Sequence, residues 1–180
     1  MLRITIPEFE LYNESTEEFI YVKEQTLQME HSLVAISKWE GKWHKPFLAT
    51  SEKTQDEIVD YLQCMTITQN VNPLVYMGIT DSILTEITNY INDDHTATWF
   101  RDEKRHPNSG EIVTSELIYY WMIALGIPPE YQKWHLGRLL TLIRICNIKN
   151  APPKKMSRRE VAQRNSELNK ARRAKFKTRG

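Results

Sequence analysis

Cysteine is scarce, glycine is scattered, and no long apolar run exists in this chain of 180 residues. The two cysteines, Cys64 and Cys146, sit inside helical patterns without metal-ligand spacing, which sets aside zinc modules and disulfide scaffolds. Buried free thiols in a reducing cytoplasm are the expected state, with a disulfide as the lesser alternative. No stretch reaches about 18 uninterrupted apolar residues, so no membrane span is expected. The opening LRITIPEFELYN lacks the basic start and apolar run of a signal peptide, so the chain is expected to remain where it is made. Gly41, Gly78, Gly110, Gly126 and Gly137 stand alone, which excludes a glycine-rich phosphate loop, and no Gly-x-Ser-x-Gly elbow occurs. The histidines at 31, 44, 95, 106 and 135 form no His-x-x-x-His pair, so neither a metal nor another cofactor is expected. Asp93, Asp94 and His95 could resemble an acid–base cluster, but at a helix end they read better as a solvated cap. No catalytic residues are assigned, and the chain reads as a non-enzyme.

Apolar content of 41% and charge of 26% are those of a globular protein with a real core. The net charge of +1 hides an asymmetry. From Lys149 to Gly180 there are 12 Lys or Arg against Glu160 and Glu167, a balance of +10 that leaves −9 on the other 148 residues. An acidic body with a basic tail implies an anionic partner for the tail, either an acidic protein surface or nucleic acid.

The expected fold is mainly α with a small N-terminal β unit: a multi-helix body over residues 1–150 and a basic helical arm over 151–180. Leu2, Ile4 and Ile6 alternate with Arg3 and Thr5, a strand that Pro7 ends or holds at a sheet edge. Ile20, Val22, Leu27 and Met29 extend this to an antiparallel unit, with a helix from Glu18 as the competing assignment. Leu33, Ile36, Trp39 and Trp43 take helical spacing behind Ser32 as cap. Thr54 to Glu57 is a capping-box pattern ahead of a helix over Gln55 to Met65, and a short element follows around Leu74 to Met77. Thr80 or Asp81 opens a further helix that stops near Asn92.

Thr114 to Lys149 is the most apolar region and reads as a buried helical hairpin around which the rest packs. Its first helix is expected to be capped by Ser115 and to turn Leu117, Tyr120, Trp121, Ala124 and Leu125 inward. Gly126, Pro128 and Pro129 break it. Its second helix, from about Tyr131, presents Leu136, Leu139, Leu140, Ile143 and Cys146. Leu142, Ile145 and Ile148 widen that face, leaving Arg138, Arg144 and Lys149 solvated. Residues 96–110 form the most polar interior stretch, a loop expected to be mobile or to meet a partner. Within it Trp99 and Phe100 beside Arg101 form an aromatic anchor for a protein contact. Trp39, Trp43 and Trp121 read instead as core. From Ser157 a second capping-box pattern starts a helix whose apolar positions, Val161, Leu168 and Phe176, are too sparse for a core. Arg158, Arg159, Arg172, Arg173, Lys175, Lys177 and Arg179 make it a candidate partner-binding arm.

Three stretches carry a family resemblance: EHSLVAISKWEGKWHKPFL (Glu30 to Leu48), ELIYYWMIALGIPPEYQKWHLGRLLTLIRICNIKNAPPKKMS (Glu116 to Ser157) and NKARRAKFKTRG. They resemble the tail assembly chaperones of long-tailed, siphovirus-type bacteriophages, from about residue 30 to the end. The resemblance implies a small helical, oligomeric, non-enzymatic protein of virion morphogenesis, acting in the host cytoplasm. It would coat the tape-measure protein, promote assembly of tail-tube subunits and be lost from the finished particle. Such genes often yield a second, longer product by frameshifting. Two features depart from the family picture, the N-terminal β unit and a tail more basic than coating a tape measure requires. The second keeps open a virion structural role, in a capsid, connector or tail, with the arm bound to neighbouring subunits or to DNA.

Overall fold

The computed structural model describes residues 1–14, 17–49, 52–100, 111–152 and 157–177. Its contacts divide the chain into Met1–Asn147 and Ile148–Gly180.

The first unit opens with four strands, β1 (Leu2–Ile6), β2 (Phe9–Asn13), β3 (Glu18–Val22) and β4 (Gln25–Met29). β1 pairs antiparallel with β4 and β2 with β3, in one register that runs from Leu2 opposite Met29 to Asn13 opposite Glu18. They form one long hairpin, interrupted where Pro7 has no amide to give to the ladder. Ile4, Ile6, Leu27 and Met29 line its buried face, the alternation expected of a half-buried strand pair. The helix that competed for residues from Glu18 onward is not formed. The outer edge of β4 is closed by the chain leaving the second helix, through Ile67 N–H to Gln28 C=O (2.8 Å) and Glu30 N–H to Met65 C=O (2.9 Å).

Among the described residues of this unit five α-helices follow: α1 (Leu33–Trp43), α2 (Gln55–Met65), α3 (Asp81–Asn92), α4 (Ser115–Ala124) and α5 (Leu136–Asn150, whose last turn crosses into the second unit). Short 3-10 helices cover Pro73–Gly78 and Pro129–Lys133. The side chains of Ser32, Thr54 and Thr80 accept from backbone amides of the first turns of α1, α2 and α3, and Thr54 with Glu57 completes the capping box. These starts follow the sequence reading closely.

The apolar region after Thr114 departs from it. Thr114 caps α4, not Ser115, and Ser115 is fully buried. The inward face of α4 is Ser115, Ile118 and Met122, while Tyr120 and Ile123 are 63% and 79% exposed. Because α4 is apolar nearly all round, spacing alone cannot choose its inward face, and packing on α1 does. α5 begins at Leu136, since Pro129 to Lys133 winds as a 3-10 turn, and Ile148 on its widened face is 55% exposed. The element at the centre is therefore α1. Its Leu33, Ala35, Ile36 and Trp39 are buried, and both α2 and α4 pack against it. Trp39 Nε1 donates to the Glu57 carbonyl (2.8 Å) and Trp43 Nε1 to Asp60 Oδ2 (2.9 Å), which fixes α1 to α2 without leaving either indole N–H unpaired.

In the second unit α6 (Arg158–Phe176) starts with the expected capping box of Ser157 and Glu160 and buries none of its residues.

Candidate functional site

The arm residues Arg158, Arg159, Arg172, Arg173 and Lys175 lie on α6, all exposed, and Lys177 follows at its C-cap. Arg179 and Arg101 lie outside the described residues, as does the 101–110 part of the polar loop. Trp99 is 85% exposed. Phe100 is half-buried, with the Arg144 guanidinium 4.0 Å from its ring centre. The aromatic pair anticipated at 99 and 100 is therefore split in role, one ring clamped to α5 and the other offered to solvent. The two rings line a cavity of about 620 Å³ with Thr98, Asp94, Leu140 and Arg144. Its floor is tight at Gly137, where a Cβ would stand 2.9 Å from the Asp94 Cα.

α4 supplies a second outward apolar surface, which includes Tyr120, a residue that spacing assigned to the core. Tyr120 and Ile123, three residues apart, share a face, and Ile112 ahead of the helix is 62% exposed. What holds α4 in this orientation is Glu40, a buried carboxylate in the last turn of α1. Its Oε2 accepts from Ser115 N–H (2.7 Å) and its Oε1 from Phe47 N–H (2.7 Å). Ser115 opens α4, so the carboxylate also meets the positive end of that helix. Nothing in the sequence pairs residue 40 with residue 115. At the hairpin tip a third patch is formed by Tyr12, Phe19 and Tyr21, with Tyr12 and Phe19 rings 5.1 Å apart across the strands.

The polar groups that do converge are histidines and tyrosines between β4, α3 and α5. His31 Nδ1 lies 2.5 Å from the Tyr61 hydroxyl, and the His31 and His135 rings are 5.1 Å apart. His135 Nε2–H donates to the Tyr90 carbonyl (3.2 Å) while its Nδ1 accepts from Gly137 N–H (3.2 Å), which defines a neutral ring. Tyr90 O–H donates to Glu30 (2.7 Å), and His95 packs on both Tyr90 and His135. Burial, reinforced by the neighbouring His135, lowers the pKa of His31 to about 4, and burial also lowers that of His135. Burial and the Glu30 hydrogen bond push the Tyr90 hydroxyl up. Each shift favours the neutral form of its group, as burial of a titratable side chain does. Among the described residues no group of three His, Cys, Asp or Glu side chains is placed to hold a metal ion. Asp93 accepts from the His95 amide (2.9 Å) beyond the end of α3, the cap geometry anticipated for that cluster.

No described helix is long and apolar enough to cross a membrane. Comparison of the chain with protein families, with curated proteins and with solved structures found no match in any of the three.

Proposed function

We propose that this chain is a tail assembly chaperone of a long-tailed bacteriophage, a non-catalytic protein that binds the tape-measure protein in the host cytoplasm and promotes tail-tube assembly. The observation that carries the reading is the outward apolar face of α4, Tyr120 and Ile123, on a body that has its own buried core. Single exposed apolar residues are ordinary, but an apolar pair on one face of a helix tied at its start to a buried carboxylate suits an apolar stripe on a partner helix. The amphipathic partner is shielded while it stays attached and would otherwise aggregate. Trp99 adds a flat ring for the same kind of contact.

A virion structural role is the second reading, favoured by the basic arm, whose charge suits phosphates or an acidic subunit surface. The two separate in one preparation. A chaperone raises tape-measure solubility on co-expression and is missing from purified particles. A structural component is present in particles at fixed copy number. In the chaperone case Tyr120→Asp with Ile123→Asp abolishes tape-measure solubilisation without loss of helix content. Solubilisation that survives this double variant removes the α4 face from the account.

A further inference from the structure

Between α1, α2, the Pro73–Gly78 turn and the start of α3 lies a groove of about 760 Å³ on the Met1–Asn147 unit. Its apolar lining is Trp43, Ile58, Val59, Ile79 and Leu84, each half-buried, with Met77 67% exposed at the lip. Its rim is acidic. Asp56 and Asp81 stand exposed in the first turns of α2 and α3, and neither makes an ion pair among the described residues. The third rim carboxylate, Asp60, is engaged by Lys42 and by the Trp43 indole. Carboxylates in first turns are ordinary helix chemistry. An open apolar trough running between two of them is not explained by that.

The same chain carries the complementary shape. On α6 Val161 and Leu168 are seven residues apart and so share one face, and Phe176 falls within about a quarter turn of it. These three are 42%, 47% and 67% exposed, the apolar residues of a helix that buries nothing. Arg172 falls on the same face, between the directions of Leu168 and Phe176, and Lys175 lies just beyond Leu168 at its edge. A sparse apolar face that also carries cations matches an apolar trough edged with carboxylates, on a chain whose two parts carry +10 and −9.

We propose that α6 of one copy docks in the Asp56–Asp81 groove of a second copy. The two surfaces differ, so the contact is head-to-tail: every copy keeps one arm to give and one groove to fill, and the assembly closes into a ring or grows as a chain. This reading is independent of what the α4 face binds, because the groove lies on α2 and α3.

Sedimentation velocity of the full chain tests it, with two charge-reversal variants, Arg172→Glu/Lys175→Glu in the arm and Asp56→Lys/Asp81→Lys in the groove. The wild type is expected to associate with concentration and to dissociate as salt shortens the screening length. Each variant alone is expected to associate at least about tenfold more weakly, since like charges then face each other. Mixed in equal amounts, the two variants pair an intact arm with an intact groove and a reversed arm with a reversed groove, so opposite charges meet at both contacts and association is expected to return. Thr54, the α2 cap, is untouched, and circular dichroism together with that rescue on mixing separates lost docking from lost folding. A monomeric wild type, unchanged association of either variant, or mixing without heterodimers overturns the proposal. An arm folded back on its own groove would give the first and last of these results.

Discussion

Replacing Glu40 is the sharpest perturbation of the body. Its two carboxylate oxygens receive Ser115 N–H and Phe47 N–H, both at 2.7 Å, and the side chain is 7% exposed. Glu40→Ala strands the buried Ser115 amide and removes the acceptor of the part-buried Phe47 amide. Each orphaned amide costs about 1–3 kcal/mol, offset in part because a buried carboxylate that pairs with no cation among the described residues is itself expensive to desolvate. The net is about 2–4 kcal/mol, a large share of the ~5–15 kcal/mol that holds a domain together. Glu40→Gln keeps one oxygen but turns an NH2 toward the other amide, for a loss of about 1–3 kcal/mol. Ser115 stands at the first position of α4, where proline is tolerated, so Ser115→Pro removes one donor without breaking the helix. Urea unfolding followed by far-UV circular dichroism gives the four stabilities of the Glu40→Gln, Ser115→Pro cycle. A coupling of at least about 1 kcal/mol is expected. Additivity within about 0.3 kcal/mol would refute the bond as the tie between α1 and α4.

Acid should destabilise the body through His31. Its folded pKa of about 4 lies below the usual 6.5, so only the unfolded chain gains a proton as pH falls through that interval, and stability drops across it. The full effect is about 3 kcal/mol, and His31→Asn should flatten the pH profile of urea midpoints between about pH 6.5 and 4. Gly137→Ala should destabilise by about 1–2 kcal/mol although alanine is the better helix former, because its Cβ meets the Asp94 backbone at 2.9 Å. A thermal melt at or above wild type would contradict that. Trp99→Ala should leave stability within about 0.5 kcal/mol while weakening tape-measure capture in pull-down. Arg172→Glu with Arg173→Glu should weaken capture of the arm's acidic partner with helix content unchanged, and capture intact at physiological salt would remove the arm from the account.

Local chemistry made much of the fold legible. Ser32, the Thr54–Glu57 box and Thr80 announce α1, α2 and α3, and the alternation of Leu2, Ile4 and Ile6 announces β1. What stayed hidden depends on tertiary partners. α4 offers apolar residues in every direction, so the rotation that buries Ile118 and exposes Ile123 is decided by α1 and by Glu40, 75 residues away in sequence. Ser115 resembles a cap by type, yet Thr114 takes that place and frees the Ser115 amide for Glu40. The network of His31, Tyr61, Tyr90 and His135 joins positions without common spacing, and the Asp56–Asp81 groove exists only once α2 and α3 are side by side. Of the candidate site, the exposure of Trp99 and the arm cations was readable from polar surroundings, whereas the clamp of Arg144 on Phe100 was not.

The measurement closest to the central claim is co-expression of this chain with the tape-measure protein of the same phage, followed by pull-down and mass spectrometry of purified virions. The account predicts a tape measure that is soluble only with this chain, lost again with Tyr120→Asp/Ile123→Asp, and particles that lack the chain. A tape measure indifferent to its presence, with the chain retained in virions, would contradict it.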